Sequence, residues 1–322
     1  MPDFFVIGHA KCGTTALYEM LCKHPQIYMP EYKRGAGKEP WYFSRDNPNP
    51  QLTDKRSVEF TGRKGMTLQE YLSLFSEAGE NQVLGEASTS YIWSRGAAER
   101  IARARPDACI IAILREPASF LRSLHQQLLV NRHEIESDFC KAVALDQPRR
   151  EARLIPRRSY WPQALIYSAR VRYVEQLRRY HAVFPSEQVK IVIYDDFRND
   201  NEATVRDLLH FLGVREDVPI VPQDANPSVG IHSMRLDELR RALKQGRGPV
   251  LRLARGSGRA LTTRRFREAV FYPLQKRAVY GAPPAPDEEF MNLLRRRFKP
   301  EVEALSEYLD RDFVALWGYD SG

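Results

Sequence analysis

The stretch Gly8-His9-Ala10-Lys11-Cys12-Gly13-Thr14-Thr15 follows a short apolar run and precedes a helical pattern. A glycine-bounded turn in that place aims several backbone N–H groups at one point, and the positive end of the following helix dipole adds to the field. Phosphate is the ligand such a loop holds. Lys11 brings a mobile positive charge, Thr14 and Thr15 bring hydroxyl donors, and the backbone at Cys12 and Gly13 completes the cradle. Without the strand–loop–helix context the same glycines would read as a tight turn and nothing more. The spacing from Gly8 to Gly13 fits the loop of nucleotide triphosphatases, but Thr14 stands where that motif requires lysine. The lysine has moved inside the loop.

A second constellation is Ile113-Leu114-Arg115-Glu116-Pro117, followed by Arg122-Ser123. Arg115 leaves the tip of an apolar run, and Ser123 lies about two helical turns further on. A guanidinium offers a bidentate fork to phosphate oxygens. Taken alone, Arg115 reads equally well as one half of a surface ion pair. With the upstream loop the phosphate-binding signal becomes strong.

Three segments make the chain resemble the PAPS-dependent sulfotransferases (PAPS is 3′-phosphoadenosine 5′-phosphosulfate), particularly their bacterial and glycan-modifying branches. Lys11-Cys12-Gly13-Thr14-Thr15-Ala16-Leu17 with His24-Pro25 is similar to that family's 5′-phosphosulfate loop. Arg115 with Ser123 matches the pair that grips the 3′-phosphate, and Ile193-Tyr194-Asp195-Asp196-Phe197 resembles a strand whose tyrosine packs near the adenine. The resemblance implies PAPS as donor, PAP (adenosine 3′,5′-bisphosphate) as product and an acceptor hydroxyl on a small molecule, glycan or lipid. It also implies that Tyr194 helps bind the cofactor, although a core aromatic is the plainer reading of that residue. Gly37-Lys38-Glu39-Pro40-Trp41-Tyr42-Phe43 matches the context in which a glutamate serves as catalytic base, which assigns that role to Glu39. Lys11 then stabilises the leaving phosphate. A sulfuryl group carries less charge than a phosphoryl group, so one lysine and the loop amides suffice and no metal is required.

Two departures stand out. Some relatives have a histidine two residues after the glutamate, where this chain has Trp41, which is then a candidate for lining the acceptor pocket. Small-molecule sulfotransferases use a histidine base, and His125, on the helix that carries Ser123, is the outside candidate. Glu86, in Gly85-Glu86-Ala87-Ser88-Thr89-Ser90-Tyr91, is expected to face the same cleft, orienting Lys11 or touching the acceptor.

The elements that must position these residues are legible as alternating runs. Strands are expected over Asp3–His9, Gln82–Ala87, Ala108–Arg115 and Gln188–Asp195, each short, apolar and bounded by turn residues. Helical patterns run over Thr14–Lys23, Arg95–Arg103, Ser119–Asn131, Gln163–Val183 and Ala203–Leu212, and a last one from Glu288 to about Leu309. The alternation predicts an α/β fold of P-loop-like, three-layer type, with a central, mainly parallel sheet flanked by helices. Ligands in such sheets sit beyond the carboxyl ends of the strands. We expect a single domain over residues 1–322, with an irregular excursion at about 33–65 and a basic, loop-rich segment at about 219–284.

The chain of 322 residues is 43% hydrophobic, enough for a substantial core. Its four cysteines lack metal-ligand spacing and read as reduced thiols of a cytoplasmic protein. No signal peptide and no membrane span is expected. The net charge of +8 is uneven: Arg240 to Arg277 holds many Lys and Arg and one acid, Glu268. That segment is expected to close over the nucleotide, to make peripheral contact with an anionic surface, or simply to be a solvated face. Nucleic acid is not an expected partner, because no zinc-finger spacing, RNA-binding signature or basic–aromatic interleaving is present. Two other readings remain open. A P-loop kinase of a small molecule would use Asp195-Asp196 to hold magnesium, and a non-catalytic binding protein would keep the nucleotide fold without turnover.

Overall fold

Phe4, Phe5 and Val6 have no exposed surface, and neither do Ile110 to Leu114. Strands apolar on both faces belong in the middle of a parallel sheet covered by helices on either side. In the computed structural model, which describes residues 1–31, 38–44, 66–157, 159, 162–222, 230–231, 280–281 and 283–320, they lie in such a sheet. It comprises β1 (Phe4–Val6), β2 (Ile27–Tyr28), β3 (Val83–Glu86), β4 (Cys109–Leu114) and β5 (Val189–Ile193) in the order β2-β3-β1-β4-β5. Every neighbouring pair is parallel. The four expected strands are present. The fifth, β2, has only two residues, too few to show a period, and sits at the sheet edge against Val83 and Leu84.

Because the strands are parallel, the segments after β1, β3, β4 and β5 all emerge at one edge. The chain leaves β1 towards β2 on one side and leaves β4 towards β5 on the other, so a crevice opens between β1 and β4. The phosphate loop leads from β1 into α1 (Thr14–Leu21), and Arg115 follows β4. After β4 comes α4 (Pro117–Asn131), numbered after α2 (Leu68–Ser73) and α3 (Ala97–Ala104). Its N-terminus is capped by Glu116, whose carboxylate accepts from the amides of Ala118 and Ser119 at 2.9 and 2.6 Å.

The pattern over Gln163–Val183 is not one helix. It divides into a 3₁₀ turn (Pro162–Leu165), α7 (Tyr167–Arg170) and α8 (Tyr173–His181), after α5 (Phe139–Ala144) and α6 (Asp146–Arg150). Remote side chains make the break. Asp146 accepts from the amides of Tyr167 and Ser168 (2.7 and 2.8 Å) and starts α7, while the Gln176 amide donates to the carbonyls of Ala169 and Arg170 and ends it. The strand expected to run to Asp195 stops at Ile193, and Tyr194 opens α9 (Tyr194–Asn199). Asp195 and Asp196 thereby fall in a first helical turn, where their charge suits the dipole. α10 (Asn201–Phe211) follows, and α11 (Glu288–Leu309) has the expected bounds. α11 buries the stripe Met291, Leu294, Phe298, Val302 and Leu305, and α12 (Phe313–Leu316) closes the chain's helices. Gly230–Ile231 pairs antiparallel with Tyr280–Gly281. The basic stretch Arg240 to Arg277 between them lies outside the described residues, as does most of the excursion at 33–65. Among the described residues no helix is long and apolar enough to cross a membrane.

Candidate active site

Gly8 is a glycine because β1 and β4 press together there: a Cβ would lie 1.9 Å from the Ile113 methyl carbon Cγ2 and 2.8 Å from the Ile113 carbonyl oxygen. Gly13 caps α1 with φ +86°, a conformation open to glycine. Lys11 adopts φ +72° without being a glycine, which is uncommon and marks a backbone held by its surroundings. Its carbonyl accepts a hydrogen bond from Arg115 Nη1 at 2.9 Å. Burial, and then the nearby Arg115 charge, push the Lys11 ammonium pKa down. The Cys12 amide closes the turn on the His9 carbonyl, and burial drives its thiol up to about 12, so the sulfur stays protonated.

Beneath the loop, His9 is fully buried with Nε2 2.8 Å from Gln176 Oε1 and its ring 4.7 Å from that of Phe120. Burial and the Arg170 charge hold it neutral, well below the usual imidazole range. Arg170 is itself buried, 4.3 Å over the Trp93 ring, with its pKa lowered to about 9 by desolvation. Its Nε and Nη1 have no hydrogen-bond partner among the described residues. Nothing in the sequence singles it out.

Arg115 is fixed from several sides. Besides the bond to Lys11, its guanidinium lies 4.6 Å over the Tyr194 ring, and its carbonyl accepts from Tyr173 Oη at 2.8 Å. Tyr194 is buried, and a Cβ on Gly13 would touch its ring at 3.1 Å. Tyr194 thus packs between the loop and Arg115. Ser123 lines a cleft of ≈ 270 Å³ together with Arg115, Ser119, Arg122 and Gln126. The two expected phosphate contacts therefore share one cavity.

The segment 38–44 is pinned over the other end of the loop. Lys38 is 3% exposed, and its Nζ donates to both Thr14 Oγ1 and Thr15 Oγ1 at 3.1 Å. Desolvation lowers its pKa, with Glu39 acting against that shift. Glu39 Oε1 lies 3.8 Å from this ammonium, while Oε2 accepts from Trp41 Nε1 and Thr89 Oγ1, both at 2.9 Å. Phe43 anchors the segment against Phe5, Tyr71 and Tyr91, with ring centroids 5.6–5.9 Å away. Burying such a side chain is worth about 1.5–3 kcal/mol.

Glu86 does not contact Lys11. It is buried under the segment, accepting from Tyr71 Oη and from Ser88 Oγ at 2.5 Å, and burial pushes its pKa up to about 7. Ser88 Oγ in turn accepts the Trp41 amide at 3.1 Å, where the backbone is left-handed (φ +54°). Trp41 is committed to Glu39 through its indole N–H. His125 is fully buried with its ring nitrogens 2.8 Å from Tyr167 Oη and 3.3 Å from the Ser137 carbonyl, beside the Glu134–Arg149 ion pair. It is a core histidine. Asp195 accepts from the Trp317 indole at 2.9 Å, and Asp196 takes both ends of the Arg311 fork.

The structure thus joins Lys11, Gly13, Arg115 and Tyr194 on one side of the loop, and Thr14, Thr15, Lys38 and Glu39 on the other. Sequence reading missed Lys38, Ser88 and Thr89 as site residues. Lys38 stands beside Glu39, and the two hydroxyls stand in the string that drew attention to Glu86. Adjacency was the available signal.

Comparison with known proteins gives one answer. The model of the sulfotransferase family matches residues 2–217. Human bifunctional heparan sulfate N-deacetylase/N-sulfotransferase 3 is 27% identical over 218 residues, covering 66% of this chain and 22% of that protein. Mouse heparan sulfate glucosamine 3-O-sulfotransferase 3A1 is 27% identical over 215 residues, 67% of this chain and 46% of that protein. The chain therefore spans less than half the length of either relative. A solved sulfotransferase from Alicyclobacillus acidocaldarius aligns with 26% identity and a TM-score of 0.66 over 98% of both chains. The family match takes in the phosphate loop, the Lys38–Glu39 segment and the Arg115–Ser123 pair together, and on that ground the chain belongs to the sulfotransferase family.

Proposed function

We propose that this chain transfers a sulfuryl group from PAPS to an acceptor hydroxyl, that of a sugar or other aliphatic alcohol. The observation that carries the reading is Lys38, whose ammonium links the hydroxyls of Thr14 and Thr15 to the Glu39 carboxylate. Donor loop and candidate base are thereby linked through one ammonium. In the reaction Glu39 takes the acceptor proton as the acceptor oxygen bonds to sulfur. The bond from sulfur to the 5′-phosphate oxygen breaks in line, and PAP leaves with the electron pair. Lys11 and the amides around Gly13 stabilise the charge that develops on the leaving phosphate, so no metal is needed. Arg115 and Ser123 bind the 3′-phosphate, with Tyr194 beside the adenine. Lys38 acts as a positioning residue for the two threonines and for Glu39.

The glycan preference rests on the heparan sulfate names of the relatives. We read the chain as one cytoplasmic domain with reduced cysteines and no nucleic-acid partner; its basic stretch favours peripheral contact with an anionic surface. A magnesium-dependent kinase fits less well, because Asp195 and Asp196 are engaged by Trp317 and Arg311. Calorimetric titration with PAP and with ATP, each with and without magnesium, tests the donor. Tight, metal-independent PAP binding with weak ATP binding is expected. Magnesium-dependent ATP binding with no preference for PAP would make the chain a kinase, and PAP binding without turnover on any acceptor would make it a binding protein.

A further inference from the structure

The cleft that holds Arg115 and Ser123 has a second wall outside the region matched by the family. Its first wall is one face of α4, where Ser119, Arg122, Ser123 and Gln126 recur at helical spacing. Facing them on α11 are Glu288, Met291 and Arg295, again three and four residues apart, and Pro283 and Pro286 border the opening. Three guanidiniums, those of Arg115, Arg122 and Arg295, thus meet one carboxylate, Glu288. A local charge of about +2 in a cleft is unfavourable unless an anion fills it, and a phosphate monoester carries about −1.5 to −2 at neutral pH. The hydrogen bonds each arginine makes among the described residues are few: Arg115 to the Lys11 carbonyl, Arg122 to the Pro284 carbonyl and Arg295 to Asn292 Oδ1. A guanidinium has five N–H donors, so each retains capacity for phosphate oxygens.

We propose that Arg295, on the C-terminal helix, is a direct ligand of the 3′-phosphate of the donor, forming with Arg115 and Arg122 a three-arginine clamp across the α4–α11 cleft. This rests on the reading of the donor given above. The consequence is that α11, which the family match does not include, belongs to the nucleotide site and selects a 3′-phosphorylated nucleotide over its 3′-hydroxyl analogue.

The test is calorimetric titration of wild type, Arg295→Ala and the exposed neighbour Arg296→Ala with PAP and with 5′-AMP at one salt concentration. A hydrogen-bonded charge contact is worth about 10- to 100-fold in affinity. Arg295→Ala should weaken PAP by that factor and change 5′-AMP less than about threefold, while Arg296→Ala leaves both near wild type. Arg295 is half-buried, so thermal melts of the variant beside wild type check that a loss of binding is not a loss of fold. Equal loss for PAP and 5′-AMP, an unchanged PAP affinity, or an equal effect of Arg296→Ala overturns the clamp. A wild type that binds PAP no better than 5′-AMP overturns the donor reading itself.

Discussion

Glu39 uses both carboxylate oxygens. Oε1 lies 3.8 Å from the Lys38 ammonium, and Oε2 accepts from the Trp41 indole and the Thr89 hydroxyl. A carboxylate held by two hydrogen-bond donors and an ion pair keeps one orientation, which is what a base needs when the acceptor proton must leave in line with sulfur transfer. Glu39→Gln preserves the shape and the carbonyl acceptor but removes the basic oxygen. It should lower kcat by ~10²-fold or more with little change in PAP affinity. Single-turnover rates with saturating donor check this; an unchanged rate moves the base elsewhere. His125 is not the alternative, being fully buried and bonded to Tyr167 and Ser137. At this scale the sequence was informative wherever the chemistry is local. Lys11 and the two threonines share one loop, and Glu39 stands in a short motif. The contact of Lys38 with Thr14 and Thr15 spans more than twenty residues, and no spacing rule connects them.

At the scale of elements, the proposed base is only as well placed as the segment 38–44 that carries it. That segment rests on the end of β3 through Glu86, Ser88 and the Trp41 amide, and on the aromatic packing of Phe43. Glu86 has its pKa raised by burial from 4.5 to about 7. A carboxyl raised in the folded state binds its proton more tightly there than in the unfolded chain. Between pH 4.5 and about 7 the folded protein therefore holds more protons, and stability falls as pH rises through that window. The full effect is about 3 kcal/mol. Thermal melts from pH 5 to 8 should show wild type losing stability relative to Glu86→Gln, whose neutral amide has no such titration. Parallel curves for the two proteins would mean that Glu86 does not titrate in this range. The central strands that place Glu86 and Arg115 were readable as apolar runs, because burial on both faces leaves an unbroken hydrophobic signature. The edge strand Ile27–Tyr28 was not, having two residues, and the division of Gln163–Val183 was not, because Asp146 and Gln176 impose it from outside the local pattern.

At the scale of the whole molecule, a net charge of +8 accompanies a site proposed to bind a polyanion. Lys11, Lys38, Arg115, Arg122 and Arg295 line or flank the site, and Arg170 lies buried behind the loop. Two kinds of electrostatics are involved, and salt separates them. The Debye length shrinks from about 10 Å at 0.1 M to about 3 Å at 1 M, so the long-range field of the surface is screened while contacts inside the cleft are not. The surface field acts on encounter and the cleft contacts act on escape. Raising NaCl from 0.05 to 0.5 M, in stopped-flow mixing with PAP, should therefore slow association by roughly 10-fold and change dissociation by less than about threefold. The reverse pattern, a salt-dependent dissociation rate with steady association, would mean that the nucleotide is held by exposed charges rather than by the proposed clamp between α4 and α11.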